Sequence, residues 1–311
     1  MEQKKETLLE IHDLSVSFRM YDHGLEQKDL KAISDLHLTV HSGEIVAIAG
    51  SSGSGKSLLA SAILDILPDN ATVQGHMHYK GQELTRERQK QLRGTKIALV
   101  PQSVAYLDPL MKIGPQADGH YKPKPTEKRR KLFERFQLPE HTEKLYPFQL
   151  SGGMARRVLV STALITDAEL IIADEPTPGM SLEQALEALR MFREMADEGK
   201  AVILITHDMD LAFEFADRVA VFYAGTTVET ALASDFKTGP EALRHPYSKA
   251  LWKALPQNGF EPIPGFQPYA GSLPKGCLFA PRCPYKTEQC EKQVPPVREI
   301  RGGEVRCYHG A

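Results

Sequence analysis

The sequence predicts an α/β fold in which helices cover both faces of a mostly parallel sheet, followed by a C-terminal extension rich in cysteine and proline. Segments such as ELIIADEP and AVILITHD are apolar on both faces of a strand, which is typical of buried parallel strands. Amphipathic helical patterns alternate with these segments, as expected for strands joined by crossover helices. Beyond about residue 235 the character changes, because eleven of the 21 prolines lie between residues 240 and 296.

The composition is that of a globular protein. The 311 residues are 41% hydrophobic and 25% charged, with a formal net charge of −2, so the chain is expected to be globular and has no general affinity for nucleic acid or anionic lipid. The first residues, MEQKKETLLE, lack the apolar core of a signal peptide. No run of 18 apolar residues occurs, so no membrane span is expected. Attachment to a membrane through a protein partner remains open.

The elements are predicted in order along the chain. Strands are expected in LLEIHDLSVSF, LHLTV and EIVAIA within residues 8–48, followed by a helix over 56–67 that Pro68 ends. KIALVPQ is a short buried strand, and residues 103–149 are mixed, with a helical stretch to Phe136. A helix then starts at the SGG of 151–153. The later elements are the strand ELIIADEP, the helix LEQALEALRMFREMADEG, the strand AVILITHD and the helix DLAFEFADRV. The proline-rich tail is expected to be a loop-rich appendage outside the sheet.

A phosphate-binding loop lies between a strand and a helix at residues 50–57. GSSGSGKS fits the pattern G-x-x-x-x-G-K-[ST] and follows EIVAIA directly. Small residues allow successive backbone N–H groups to surround a phosphate at the helix N-terminus. Lys56 would neutralise the β- and γ-phosphates, and the Ser57 hydroxyl would bind Mg²⁺. The alternative is an ordinary Gly/Ser-rich turn at a helix start.

Two acids end the apolar strand of residues 169–176. Asp174 would lie at the carboxyl edge of the sheet, beside the phosphate loop, where ligands bind in open α/β folds. It would hold Mg²⁺, directly or through water, and Glu175 would polarise an attacking water as general base. The alternative is a pair of capping residues at a strand-to-helix turn.

A second Gly-containing helix start follows in YPFQLSGGM, residues 146–154. Ser151, Gly152 and Gly153 could meet a phosphate at a helix N-terminus, although a lone SGG is more often an ordinary cap. The order of the features is more informative than SGG alone: phosphate loop, Gln102, LSGG, ADE and finally His207.

Together these motifs resemble the ATP-binding cassette (ABC) family of P-loop NTPases over about residues 8–230. The resemblance rests on GSSGSGKS, VPQ, LSGGM, LIIADEP and ITHD in the family's order. It implies that Gln102 senses Mg²⁺ and the attacking water, and that His207 contacts the γ-phosphate. It also implies that Phe18, or less readily Tyr21, stacks on adenine, although Phe18 is equally well explained as a core aromatic.

The resemblance implies three sets of site residues. Those implied to bind ATP are Phe18, Gly50, Ser51, Ser52, Gly53, Ser54, Gly55, Lys56, Ser57 and Leu58. Those implied to hold Mg²⁺ are Ser57, Gln102 and Asp174. Those implied to act in catalysis are Glu175, His207 and Gln102.

The resemblance also implies an architecture and a mechanism. Residues 1–235 would form the nucleotide-binding domain, with an antiparallel β subdomain and a helical subdomain at about 103–165, and residues 236–311 would form the extension. Two cassettes would meet head to tail, so that each ATP lies between the phosphate loop of one subunit and Ser151, Gly152 and Gly153 of the other. Closure on ATP and reopening after hydrolysis would drive a membrane partner.

The tail is similar to the C-terminal extension of oligopeptide, dipeptide and nickel importer ATPases. The similarity lies in RHPYSKALWKALP and in the ordered cysteines of residues 276–309. It implies a second, similar ATPase, two transmembrane permeases and an extracytoplasmic solute-binding protein as partners, with this chain at the cytoplasmic face of the membrane. The transported solute is not identified, and peptides, dipeptides or a chelated metal such as nickel stay open.

Two other functions also remain open. One is a soluble ABC ATPase that does not transport, and the other is a catalytically weak regulatory cassette in an asymmetric pair. The second rests on Ser181, which stands where these importers usually have an aspartate that reaches across the dimer. Serine can form a hydrogen bond there but cannot carry the charge.

Four cysteines, with spacing C-x5-C-x6-C-x16-C, lie in the last 35 residues. They are Cys277, Cys283, Cys290 and Cys307. This spacing fits a [4Fe–4S] cluster, which the importer group implies, better than zinc, which usually needs tighter pairs. The alternative is four free thiols that pack as small apolar side chains.

Overall fold

The computed structural model describes residues 5–21, 26–119 and 121–310. Among these residues, no helix has both the length and the apolar character needed to cross a membrane. The strands are β1 (Thr7–Tyr21), β2 (Gln27–His41), β3 (Ile45–Gly50), β4 (Ala71–Tyr79), β5 (Gln82–Glu83), β6 (Ile97–Val100), β7 (Leu170–Asp174), β8 (Ala201–Ile205), β9 (Arg218–Tyr223), β10 (Thr226–Leu232), β11 (Val297–Ile300) and β12 (Gly303–Arg306). The α-helices are α1 (Lys56–Ile63), α2 (Arg86–Leu92), α3 (Ile113–Asp118), α4 (Thr126–Arg135), α5 (Gly152–Ile165), α6 (Leu182–Asp197), α7 (Met209–Phe215), α8 (Ala233–Thr238), α9 (Pro246–Lys253) and α10 (Glu288–Lys292).

The core is a mixed sheet with the strand order β11-β12-β10-β9-β3-β8-β7-β6. Strands β9, β3, β8, β7 and β6 are parallel to one another, and every residue of β7 and β8 is buried. Strands with two buried faces have no polar side to show, which explains their unbroken apolar sequences. The predicted parallel core is confirmed. Its carboxyl edge holds the phosphate loop after β3 and the acids at the end of β7.

A second, antiparallel sheet has the strand order β2-β1-β4-β5. Its apolar side chains form one cluster with those of β3 and α1, so this sheet packs beside the phosphate loop. This confirms the antiparallel subdomain. Strand β4 was not predicted, because the polar sequence ATVQGHMHY has only two buried side chains and no clear apolar alternation.

Helices α3, α4 and α5 pack together within the segment for which a helical subdomain is predicted. Their interface is apolar, around Phe133 and Phe136. It also holds the buried Arg129, which pairs with Asp118 and lies 2.7 Å from Glu143. Buried charges need such partners, so this ion pair network fixes the relative positions of α3 and α4. The limits 103–165, 1–235 and 236–311 stay predictions.

The tail departs from the prediction of an appendage outside the sheet. Strands β11 and β12 form a hairpin, and β12 pairs with β10 through the partners Glu229–Val305 and Thr230–Glu304. The prediction was wrong because each of these strands has only four residues and the surrounding prolines obscure them. The sheet therefore continues from the cassette into the extension.

Two predicted helices are shorter than expected. Helix α1 ends at Ile63, well before Pro68, because Asp65 adopts a left-handed conformation with φ 50°. The segment DLAFEFADRV is helical only to Phe215, and its last two residues begin strand β9. The apolar run after it is strand β9, which is buried inside the core sheet between β10 and β3.

Candidate nucleotide-binding site

The phosphate loop is a tight turn between the end of β3 and the start of α1. Gly50 has φ 156°, and a Cβ on it would lie 2.4 Å from the carbonyl oxygen of Phe222. Gly55, with φ 95°, is the residue before the first turn of α1. Glycine is therefore required at both positions, for close approach at one and for backbone conformation at the other.

Lys56 lies across the loop and not out in solvent. Its Nζ donates hydrogen bonds to the carbonyl oxygens of Gly50, at 2.8 Å, and Ser51, at 2.9 Å. Burial lowers the pKa of Lys56, and the nearby carboxylates of Glu175 and Asp174 oppose that shift. The lysine charge is thus held inside the turn where an anion would be bound.

Ser57 and Asp174 come together from different elements. The Ser57 Oγ on α1 donates a hydrogen bond of 3.1 Å to Oδ1 of Asp174 at the end of β7. Burial raises the pKa of Asp174, and the hydrogen bond from Ser57 opposes that shift. A hydroxyl and a carboxylate oxygen at this separation are ligands suited to Mg²⁺. The donor set therefore fits the predicted cation.

Gln102 follows β6, the neighbour of β7, at the same edge of the sheet. Its side chain is exposed. Its backbone is fixed by Arg156 of α5, which donates hydrogen bonds to the carbonyl oxygens of Pro101 and Gln102. The start of the helical subdomain is thereby tied to α5. No contact of the Gln102 side chain with Asp174 is found among the described residues.

Glu175 and His207 form a pair just beyond the ends of the adjacent parallel strands β7 and β8. Nδ1 of His207 lies 2.8 Å from Oε2 of Glu175. Glu175 is buried and adopts φ 48°, while the His207 side chain is 71% exposed. The imidazole can therefore orient the carboxylate from the solvent side, and the other carboxylate oxygen remains available to a water.

Ser151 is the N-cap of α5. Its Oγ accepts a hydrogen bond from the backbone N–H of Met154 at 3.3 Å. Ser151 therefore caps the helix, as the alternative interpretation of SGG requires. Gly153 faces the carbonyl oxygen of Gly179, which would lie 2.8 Å from a Cβ on Gly153. Within the described part of the chain, no hydrogen bond joins residues 151–153 to the phosphate loop.

The two candidate aromatic residues differ in exposure. Phe18 is half-buried and packs against the core of the antiparallel sheet, as its alternative role of core aromatic requires. Tyr21, at the end of β1, is 67% exposed. Neither forms a ring–ring contact within the described residues.

Two residues of the extension contact the phosphate loop, and sequence reasoning missed both. The Ser51 Oγ donates a hydrogen bond of 2.7 Å to Oε1 of Gln267. Tyr247 is buried beneath the loop, 4.5 Å from the ring of Tyr223, and burial raises its pKa while a contact with Ser51 opposes that shift. No motif marks Gln267, and Tyr247 lies in the segment RHPYSKALWKALP, which was used only for the resemblance of the tail.

The predicted iron–sulfur cluster is not supported. Within the described residues, no group of three or more His, Cys, Asp or Glu side chains is arranged to hold a metal ion. Cys277, Cys283, Cys290 and Cys307 are free. Burial raises the pKa of the Cys277 thiol to about 11 and raises the pKa of Cys283 and Cys307. Burial thus favours the neutral form of these three thiols, which pack as small apolar side chains.

Comparisons with known proteins agree with this geometry. Residues 33–178 match the family model described as ABC transporter. Residues 228–290 match the model described as oligopeptide/dipeptide transporter, C-terminal region.

Curated relatives match along nearly the whole chain. The oligopeptide transport ATP-binding protein OppD of Salmonella typhimurium is 34% identical over 326 residues, covering 98% of this chain and 95% of the relative. The probable D,D-dipeptide transport ATP-binding protein DdpD of Escherichia coli is 35% identical over 321 residues, covering 96% and 95%. Among solved structures, a dimeric ATP-binding cassette in a post-hydrolysis state with ADP and phosphate has a TM-score of 0.63 at 25% identity, covering 73% of this chain and 99% of that one.

Proposed function

The chain belongs to the ABC transporter family, in the group of oligopeptide and dipeptide import ATPases, and on that premise we propose that it hydrolyses ATP to drive peptide uptake through partner permeases. The observation that supports this most is the match to OppD over 98% of the chain, which includes the extension. The chemistry agrees, because the lysine, hydroxyl and carboxylates needed for phosphoryl transfer meet at one sheet edge.

Each site residue has a proposed role. The N–H groups of residues 50–58 surround the phosphates, and Lys56 neutralises the β- and γ-phosphates. Ser57 and Asp174 would hold Mg²⁺, and Gln102 would complete the set of ligands. Mg²⁺ supplies charge neutralisation between the phosphates. Glu175 accepts the proton of the attacking water, and His207 orients that carboxylate and contacts the γ-phosphate.

We further propose that ATP is completed by a second cassette. Ser151, Gly152 and Gly153 would face the nucleotide of the partner subunit, and Phe18 would border the adenine. The absence of hydrogen bonds between these signature residues and the phosphate loop of the described chain is in keeping with this arrangement. Helix α5 then presents free N–H groups to the phosphate of another subunit.

The remaining partners are proposed from the same relatives. These are two transmembrane permeases, an extracytoplasmic solute-binding protein and a second, similar ATPase, with this chain at the cytoplasmic face. An exposed apolar surface beside Gln102 supports a permease contact, since Leu110 is 88% exposed and Tyr106 and Phe148 are also exposed. The solute is a peptide or dipeptide, and a chelated metal remains the alternative.

A paired substitution tests this function. Lys56→Ala should abolish ATP binding to the full chain, because it removes the half-buried cation of the loop. Glu175→Gln should leave ATP binding intact and stop hydrolysis by the assembly purified with its permeases. Lys292→Met and Glu288→Gln, which alter an exposed ion pair of the extension, serve as matched controls. Undiminished hydrolysis in the Glu175→Gln assembly would remove this residue from catalysis, and peptide uptake independent of the chain would contradict the importer function.

Ser181 gives little support to a weak regulatory cassette. Its Oγ accepts a hydrogen bond from the N–H of Gln184, and the Gln184 side chain accepts one from the N–H of Ser181, which together form a capping box at the start of α6. The serine therefore has a local structural role. Hydrolysis rates of assemblies in which the catalytic Glu of each ATPase is replaced in turn would separate the two functions.

A further inference from the structure

A cavity of about 200 Å³ lies where three parts of the molecule meet. Lys31 and Asp35 border it from β2 of the antiparallel sheet, and Val228 borders it from β10 of the core sheet. The extension supplies the remaining walls, including Lys275 and Arg306. The cavity is separate from the phosphate loop, since none of residues 50–58 lines it.

Arg306 is the unusual residue of this cavity. It is only 8% exposed, yet its Nε has no hydrogen-bond partner, and no carboxylate forms an ion pair with it within the described residues. A guanidinium carries five N–H donors and never loses its charge. Leaving such a group buried and unpaired is strongly unfavourable.

A second buried arginine of the same region shows what a satisfied guanidinium looks like. Arg244 pairs with Glu229 and Asp235 and donates hydrogen bonds to the backbone carbonyl oxygens of Ile300 and Arg301. Arg306 has no comparable set of acceptors among the described residues. Its two terminal nitrogens likewise have no acceptor among the described residues, and they, not the enclosed Nε, are available to an anion inside the cavity.

The charged side chains around the cavity also favour an anionic ligand. Lys31, Lys275 and Arg306 are cationic, whereas Asp35 is the one acid among its lining residues. Asp35 lies 3.2 Å from Ser15 and forms an ion pair of 3.6 Å with Lys31, so these two charges offset each other and Lys275 and Arg306 remain. The net field at the cavity therefore attracts a negative group.

Most of the rest of the wall is apolar, although Ser34, Thr226 and Cys277 also line it. Val228, Leu273, Leu278 and Val294 line it together with prolines. A cavity of roughly 150 Å³ holds a molecule the size of benzene, so this one has room for a branched chain of a few carbons. An inorganic anion would leave these side chains without contacts.

We propose that this cavity binds a small organic carboxylate with a branched apolar body, whose carboxylate pairs with Arg306. The ligand would join the extension to both sheets of the cassette, because each contributes to the wall. This binding activity is independent of ATP hydrolysis and of the transported solute. Two sources share the chemistry, short branched fatty acids and apolar α-amino acids, and Asp35 offers the amino acid an acceptor for its ammonium group.

Calorimetric titration of the full chain tests the proposal. Isovalerate and L-leucine represent the two sources, and isovaleramide has the same shape without the charge. We expect at least one carboxylate to bind with micromolar to millimolar affinity, isovaleramide not to bind, and the same carboxylate to raise the thermal unfolding midpoint. Arg306→Met should weaken binding by about tenfold or more, because it removes the charge-assisted pair and keeps the apolar length. Arg190→Met, on the exposed face of α6, should bind as the wild type does.

Several results of these titrations would contradict the proposed carboxylate site. Absence of binding by both carboxylates would overturn the proposal, as would unchanged binding in Arg306→Met. Binding of inorganic phosphate alone would also overturn it, because it would show an anion site without a place for the apolar body. If Arg306→Met does not fold, Lys275→Met replaces it, and unchanged affinity in that variant would count against the cationic cavity.

Discussion

At the scale of single residues, a neighbouring carbonyl oxygen explains why position 153 needs a glycine. A Cβ on Gly153 would lie 2.8 Å from the oxygen of Gly179, whereas a Cβ on Gly152 would meet nothing within 4 Å. Gly153→Ala should therefore lower the free energy of unfolding by about 1–3 kcal/mol, measured by urea denaturation. Gly152→Ala is the stability control and should cost much less. Equal losses in the two variants would contradict this steric explanation.

His245 predicts a pH dependence of stability. It is buried, and burial lowers its pKa from 6.5 to about 3. Its Nδ1 accepts a hydrogen bond of 3.0 Å from the N–H of Tyr247 at the start of α9, which a protonated Nδ1 could not accept. The charges beneath it, Glu229 and Arg244, are paired with each other.

The direction of this pH dependence follows from the difference in proton binding between the unfolded and the folded chain. The unfolded chain protonates His245 near pH 6.5, whereas the folded chain resists until near pH 3. This contribution is complete above pH 6.5 and is lost as the pH falls towards 3. Between about pH 7.5 and about pH 5 it should cost about 2 kcal/mol. His245→Gln should show a smaller loss over that interval in urea unfolding, and an identical pH profile would contradict the assignment.

The sequence predicted the common location of residues that belong to a local motif, while their chemical roles stay predictions. Lys56, Ser57, Asp174, Glu175 and His207 all lie at one sheet edge, because consecutive parallel strands bring their carboxyl ends together. It did not find Gln267, which reaches the phosphate loop from more than 200 positions away. It also favoured a metal cluster for the four cysteines. Their spacing along the chain does not show whether the four side chains are arranged around one metal site.

At the scale of elements, the segment 259–272 of the extension acts as a support for the phosphate loop. Arg282 holds it through the carbonyl oxygens of Pro264, at 2.8 Å, and Ile263, at 2.9 Å, and Gln267 then accepts a hydrogen bond from Ser51. The position of the loop thus depends on a segment outside the cassette motifs.

Substitution of Gln267 tests this support. Gln267→Ala should raise KM for ATP about fivefold in the purified assembly, since one hydrogen bond is worth about 1 kcal/mol, and should leave kcat nearly unchanged. Gln267→Glu retains the acceptor but adds a negative charge beside the phosphates, so it should not restore KM. Gln289→Ala, on exposed α10, is the control. A KM that does not respond to Gln267→Ala, or a fall in kcat alone, would show that the contact does not position the loop.

Elements were predictable where burial imposes a period on the sequence. The two-sided burial of β7 and β8 and the amphipathic face of α6 made all three recognisable. Strands β4, β11 and β12 were missed because their stability comes from pairing with distant partners and not from their own apolar residues. Short strands that are stabilised by tertiary contacts show little apolar periodicity in their sequence.

At the scale of the whole molecule, the extension is built into the cassette. Glu229 of β10 accepts hydrogen bonds from the backbone N–H groups of Arg244 and His245, both at 2.8 Å. The Arg244 guanidinium reaches the carbonyl oxygens of Ile300 and Arg301, where β11 turns into β12. One buried ion pair therefore connects the core sheet, the start of α9 and the last hairpin.

Breaking this connection should affect the whole fold. Arg244→Met should lower the free energy of unfolding by about 3–5 kcal/mol, because it leaves the fully buried Glu229 carboxylate without its cation. Adding Glu229→Gln should recover part of the loss, since the double variant no longer has a fully buried unpaired carboxylate, only the partly exposed Asp235 lacks its cation, and the amide oxygen still accepts a backbone hydrogen bond. Urea unfolding with one transition would show that cassette and extension unfold together. A single variant that loses less than about 1 kcal/mol, or an extension that melts in a separate earlier transition, would mean that the hairpin is held by its strand pairing and not by the ion pair.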